Sequence, residues 1–133
     1  MIFVDSNVPM YVAGGAHPLR EPALRFMERV RAGELEACTS AEVLQEILHR
    51  YTGLGRSDLA GRVYELFVQL CPIVLPVTLA DTDRAKALLG SAARLSVRDA
   101  VHAAVMLNND VVDIATFDRG FDEVSAIRRV EPG

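Results

Sequence analysis

The acids of this chain fall where its elements begin and end. The apolar run "IFV" at 2–4 reads as a short strand that ends on Asp5 of "DSN". "VVDIATF" at 111–117 reads as another strand, with Asp118 just past its end. Asp99 lies in the first turn of a helix opened by Ser96 in "SVRD", and Glu46 lies in "AEVLQEILHRYTG", a helix that Ser40 can cap. Four carboxylates gathered in a partly dry cleft repel one another, and a divalent cation relieves that repulsion. Oxygen-only donors select hard ions, Mg²⁺ or Mn²⁺, over zinc. Such ions on acids suit phosphoryl chemistry: they activate water, orient the phosphate and stabilise the leaving oxygen.

Whether those acids meet depends on the elements between them. After the first strand comes a loop with Gly14, Gly15 and Pro18. A helical pattern then runs over 20–32, with Leu24, Met27 and Val30 on one face. "LEACTS" at 35–40 reads as a strand, and the helix after Ser40 stops at Gly53. A helix over 57–71 stops before Pro72, a strand occupies 73–77, and "LADTDRAKALLGSAAR" and "VRDAVHAAVMLNN" are two more helices. "RGFDEV" reads as a turn and "AIRRV" as a short edge strand. Strands alternating with helices predict an α/β fold: one domain over 1–133, with a central parallel sheet of four to five strands and helices on both faces. Sites in such sheets form beyond the carboxyl ends of the strands, where Asp5 and Asp118 lie. Helices that leave a strand, or lead back to one, also begin at that edge, which brings Glu46 and Asp99 to it.

Periodicity separates Glu46 from its neighbour Glu42. Val43, Leu44, Ile47, Leu48 and Tyr51 make one apolar face. At about 100° per residue, Glu42 points away from that face, whereas Glu46 lies on its flank and can reach a cleft. Each acid also has an ordinary structural reading. Asp5 suits a turn, Asp99 completes a capping box with Ser96, Asp118 suits a turn before Gly120, and Glu46 can pair with Arg50 four residues on. His102, one turn after Asp99, reads as a packed helix residue rather than a ligand. Asp110, Asp113 and Asp122 read as solvated or turn-forming, with Asp122 close in sequence to Asp118.

Half of the 133 residues are hydrophobic and 24% are charged, the balance of a soluble globular chain with one core. No apolar run approaches the ~20 residues of a membrane span, and the first residues lack the pattern of a signal peptide. Cys38 and Cys71 are too few for a disulfide framework or a Cys/His zinc site, and read as reduced core residues of a cytoplasmic protein. A net charge of −4 excludes a general nucleic-acid-coating protein but leaves room for a nucleic-acid enzyme. Lys86 is the only lysine among the 14 basic residues, and although arginine suits phosphate, the bias reads as that of a GC-rich genome rather than as a functional one.

"FVDSN" at 3–7, "TSAEVLQEIL" at 39–48, "SVRDAVHAAV" at 96–105 and "TFDRGFD" at 116–122 together resemble the PIN domain, and within it the VapC-type toxins of bacterial toxin–antitoxin pairs. The resemblance covers nearly the whole chain. It implies a metal-dependent ribonuclease that cuts single-stranded or loop regions of RNA, with Mg²⁺ or Mn²⁺ on Asp5, Glu46, Asp99 and Asp118, the set that the sheet argument also selects. It further implies polar support from Asn7 and Thr116, an auxiliary acid at Asp122, a homodimer, and a cognate antitoxin that covers the site. Arg98 and Arg119, adjacent to proposed ligands, are candidate RNA phosphate contacts, with surface ion pairing as the equal alternative.

Two rivals remain at this level. A haloacid-dehalogenase-like phosphatase needs a second Asp two residues after Asp5, where this chain has Asn7, and a lysine at the site. A non-catalytic module would keep the acids only to hold an ion.

Overall fold

The computed structural model describes all 133 residues. Five strands form one sheet in the order β3-β2-β1-β4-β5, and every neighbouring pair is parallel. They are β1 (Ile2–Val4), β2 (Ala37–Ser40), β3 (Ile73–Leu75), β4 (Asp113–Ala115) and β5 (Arg128–Val130). All residues of β1 and β2 are buried. Successive strand side chains point to opposite faces, so burial of every one requires cover on both sides, as the sequence reading expects. Phe3 sits at the centre, in register with Cys38 on one side and Ile114 on the other.

Six helices supply the cover: α1 (Asn7–Ala13), α2 (Arg20–Arg31), α3 (Ala41–Gly53), α4 (Ser57–Leu70), α5 (Leu79–Ser91) and α6 (Val97–Asn108). Four of the five longer ones turn a buried stripe inward, such as Ala23, Phe26, Met27 and Val30 on α2, whereas α5 buries only Asp81 and Ala85. On α6 the stripe includes Ala100, Ala103 and Ala104, whose small side chains let the helix lie close to its neighbours. Cys38 and Cys71 are free and buried, and burial pushes their thiols up to about 11 and about 12. None of the helices is long and apolar enough to cross a membrane.

The edge strand β5 is pinned by charge. Arg128 lies opposite Asp113 in the register and holds it with two hydrogen bonds, from Nε at 2.7 Å and Nη2 at 2.8 Å. Such planar two-point pairing fixes register as well as adding attraction.

Two local expectations are corrected, and the turn read in "RGFDEV" is made more specific. The segment after β1 is helix α1, not a loop. Pro9 falls in its first turn, where a missing N–H breaks no helical bond. No side chain caps α1, because the Ser6 hydroxyl is bonded to Glu46 instead, so the usual start signal is absent. "RGFDEV" begins as a 3₁₀ turn, Arg119–Glu123, entered through Asp118. Leu48 is 40% exposed and does not join the buried face of α3.

Candidate active site

Asp5 leaves β1 almost fully buried, at 4% exposure. Its Oδ1 accepts the Ser6 backbone N–H at 2.7 Å, and its Oδ2 accepts the Thr116 hydroxyl at 2.7 Å and the Asn7 amide at 3.3 Å. Thr116 follows β4, the strand paired with β1, so the sheet register delivers its hydroxyl to Asp5. The same oxygen accepts the Asn7 side-chain N–H at 2.9 Å and the Asp118 backbone N–H at 3.0 Å. Asn7 closes the loop by accepting the Phe117 N–H at 3.4 Å. The two polar residues named from the resemblance thus fix the Asp5 carboxylate in one orientation.

Glu46 is 7% exposed on the second turn of α3. It accepts the Ser6 hydroxyl at 2.7 Å and is hydrogen-bonded to His102 Nε2. Arg98 Nε stands 3.9 Å away, half exposed. Arg50, the i+4 partner suggested by spacing, forms no ion pair with it. Ligand-type atoms of Asp5, Glu46 and His102 all lie within 4.8 Å of one another.

Asp99 and Asp118 complete the set electrostatically. Burial, then the charges of Asp118 and Asp5, push the Asp99 carboxyl up to about 7. The Asp99 N–H is capped by Ser96 Oγ at 3.1 Å, half of the capping box read in the sequence. Asp118 is exposed and its Oδ1 accepts the Gly120 N–H at 2.8 Å, the turn role also read there. Gly120 shows how close the two acids come. A Cβ built on it would lie 3.0 Å from Asp99 Oδ2 and 3.1 Å from Asp118 Oδ1. Asp5 is likewise raised: burial dominates and Glu46 adds to it, against His102, Thr116 and Ser6.

Two expected participants form no hydrogen bond or ion pair with this group. Asp122 is exposed and pairs with Arg129 of β5 at 3.0 Å. Arg119 is exposed at the start of the 3₁₀ turn.

Two participants escaped sequence reasoning. Ser6 bridges Asp5 and Glu46, and "DSN" offered no reason to separate it from an ordinary turn serine. His102 is packed, as read, between the rings of Phe3 and Phe121 at centroid distances of 5.7 and 6.4 Å. It is also fully buried against the acids. Burial alone would lower its pKa, but the Glu46 hydrogen bond and the charges of Asp5, Glu46 and Asp99 together raise it. Its position three residues after Asp99, on the same helix face, was the available signal.

The donor set fits a hard divalent cation. Burial first and neighbouring acids second push its carboxyls up, a cost that a cation would relieve, its free lone pairs are carboxylate oxygens, and the imidazole nitrogen nearest them is already engaged by Glu46. Beside the acids runs a cleft of about 860 Å³ between α1 and α3, reached by Ser6, Asn7, Glu46 and Arg98.

Comparisons with known proteins agree with this picture. The PIN domain family matches residues 2–127. Ribonuclease VapC13 of Mycobacterium tuberculosis is 40% identical over 130 residues, which is 98% of this chain and 99% of that protein. The crystal structure of Mycobacterium tuberculosis VapC20, described as a sarcin–ricin loop cleaving toxin, superposes with a TM-score of 0.78 at 22% identity, over 99% of this chain and 100% of that one. VapBC2 from Rickettsia felis, solved bound to a DNA fragment from its promoter, superposes with a TM-score of 0.77 at 14% identity, over 98% of each chain. The chain belongs to the PIN-domain family, in its VapC branch.

Proposed function

We propose that this chain is a metal-dependent endoribonuclease, the toxin of a VapBC-type pair, which hydrolyses RNA phosphodiester bonds and so inhibits translation in the cytoplasm. The observation that carries this reading is the buried Asp5–Glu46 pair, locked by Ser6, Thr116 and His102, with the charges of Asp99 and Asp118 close by and Glu46 lining a cleft. The name of its 40% identical relative, a ribonuclease, supports it, as do fold neighbours described as toxins or as toxin–antitoxin complexes.

Asp5, Glu46, Asp99 and Asp118 would hold Mg²⁺ or Mn²⁺. A divalent cation there supplies charge neutralisation and a more acidic water, so that hydrolysis can proceed near neutral pH. The chain's own residues do the positioning. Thr116 and the Ser6 N–H stop Asp5 from swinging, and Ser6 and His102 do the same for Glu46. Without a cation, burial and the charges of Asp118 and Asp5 push the Asp99 carboxyl up to about 7, and a bound divalent cation would hold it ionised. Arg98, at the cleft beside Glu46, is placed to bind an RNA phosphate, and Arg119 is the second candidate.

A cognate antitoxin and a homodimer belong to the same proposal. The phosphatase reading loses its acid, because Asn7 spends its amide on Asp5 and Thr116, and Lys86 is exposed on α5. The test is RNA cleavage with Mg²⁺ or Mn²⁺ by the chain and by Asp5→Asn and Asp99→Asn. A loss of at least about 100-fold is expected in each. Metal-dependent cleavage retained by both variants refutes the assignment, and metal binding without any cleavage favours the non-catalytic module.

A further inference from the structure

The cleft beside the acids has an aromatic wall that the hydrolytic machinery does not use. Tyr11 of α1 and His17 both line it, with ring centroids 4.7 Å apart and planes 34° apart. Tyr11 is half-buried and His17 exposed. Both rings are held in place. Phe117 meets Tyr11 edge-on, at 5.4 Å and 90°. His17 Nδ1 accepts the Leu19 N–H at 3.1 Å, and the His17 carbonyl accepts from Arg20 at 3.0 Å.

This wall is tied to the acid cluster. The Phe117 N–H donates to Asn7, and the Asn7 amide donates to Thr116 and Asp5. Tyr11 lies one helical turn from Asn7 on the same face of α1. The same cleft is lined by Arg50 and Arg98, both exposed. A fixed aromatic surface and guanidinium groups in one cleft are the pairing that a single-stranded nucleotide needs: π-faces for the base and charge for its phosphates. A hydrophobic peptide segment would not need two arginines there, and a base-paired helix could not turn its bases to the rings.

Building on the nuclease reading, we propose that Tyr11 and His17 form a stacking platform for one unpaired RNA base next to the phosphate held at Asp5 and Glu46. The platform explains how an acidic chain keeps hold of RNA at an acidic site, because stacking needs no net positive charge. The base must leave its helix to reach the rings, which agrees with the single-stranded or looped RNA that the family resemblance implies. Tyr11 and His17 are thus recognition residues and take no part in bond breaking.

The test measures binding in the full chain carrying Asp118→Asn, which keeps RNA intact. The probes are hexaadenylate and an abasic hexamer with the same ribose-phosphate backbone, each with Mg²⁺ present. Hexaadenylate should bind about tenfold tighter than the abasic hexamer. Tyr11→Leu or His17→Ala should shrink that ratio toward one while leaving abasic affinity in place, and Tyr11→Phe should preserve it. A ratio that neither substitution changes, equal binding of the two hexamers, or no binding of hexaadenylate overturns the platform. A cleft that instead takes up only antitoxin peptide gives the equal-binding outcome. If the unmutated chain cleaves RNA while the ratio is insensitive to Tyr11 and His17, the platform falls and the nuclease reading stands. If the ratio behaves as expected but no RNA is cleaved, the reverse holds.

Discussion

The Thr116 hydroxyl donates to Asp5 Oδ2 at 2.7 Å across 111 positions of sequence. The pair exists because β1 and β4 are in parallel register, with Val4 opposite Ala115, so that the residues after them leave the sheet side by side. Since Thr116 Oγ1 also accepts from Asn7 and Asp118, removing it disturbs three groups at once. Thr116→Val keeps the shape and deletes the hydroxyl. It should raise the Mg²⁺ needed for half-maximal RNA cleavage by about 10–100-fold. It should also cost about 1–3 kcal/mol of stability, through polar groups left unpaired in a buried site. Thr116→Ser should recover most of both. A metal titration of cleavage and a urea melt decide it, and unchanged values in Thr116→Val would show that the hydroxyl does not orient Asp5.

His102 should behave as the support of Glu46. His102→Ala removes a buried ring from between Phe3 and Phe121 and leaves Glu46 Oε1 without its partner. A loss of about 2–4 kcal/mol in denaturant unfolding is expected, from the cavity and the orphaned carboxylate together. His102→Gln keeps a donor at similar reach and should lose less stability and retain more cleavage than His102→Ala. Equal damage by the two would mean that the ring matters only as packing.

Stability of the metal-free chain should fall as pH rises. Asp99 keeps its proton in the fold up to about 7, whereas its ordinary value is 3.8. Between those values the folded state binds more protons than the unfolded one, so folding weakens as pH increases. His102 acts in the same direction, because its raised folded pKa gives stability that is lost as pH rises through it. Glu28, Asp58 and Asp113, each beside an arginine, have lowered values and act oppositely, but only in the acidic range below the ordinary carboxylate value. The melting temperature in EDTA should therefore drop by at least about 3 °C from about pH 5.5 to about pH 8. Saturating Mn²⁺ should flatten the profile, since a cation takes over the charge at high pH. A metal-free chain with a flat profile would remove the case for mutual repulsion among these acids.

The site was legible in the sequence to the extent that it rests on topology. Asp5, Asp99 and Asp118 follow from parallel strands and from where helices begin, and Glu46 follows from the wheel of α3, which separates a flank from an outward face. Alternation also foretold the parallel sheet, including the edge strand β5. The bonds that hold the acids still were hidden, because they join residues far apart in the chain. Ser6 reaches Glu46 across 40 positions and His102 reaches it across 56. Helix α1 was missed for a related reason: the serine that would have marked its start is committed to Glu46, so a tertiary bond replaced the local one. Asp122 shows the opposite failure, since nearness in sequence to Asp118 suggested a role and its pairing with Arg129 carries it elsewhere.

Gly120 offers the most selective probe of the acid cluster. Its φ is not positive, so alanine meets no backbone strain there. The obstacle is local: a Cβ would stand 3.0 Å from Asp99 Oδ2 and 3.1 Å from Asp118 Oδ1. Both carboxylates can move only by giving up their present approach, and that approach is what would let them share an ion. Gly120→Ala should therefore weaken Mn²⁺ binding by about 10-fold or more, by analogy with other changes to the supports of metal ligands. Little core packing is at stake, so the melting temperature without metal should change by less than about 3 °C, as for a surface substitution. Calorimetric Mn²⁺ titration beside a metal-free thermal melt separates the two effects. Unaltered Mn²⁺ affinity in Gly120→Ala would mean that Asp99 and Asp118 do not hold the ion together, and the four-acid set would have to shrink to the buried Asp5–Glu46 pair and one neighbour.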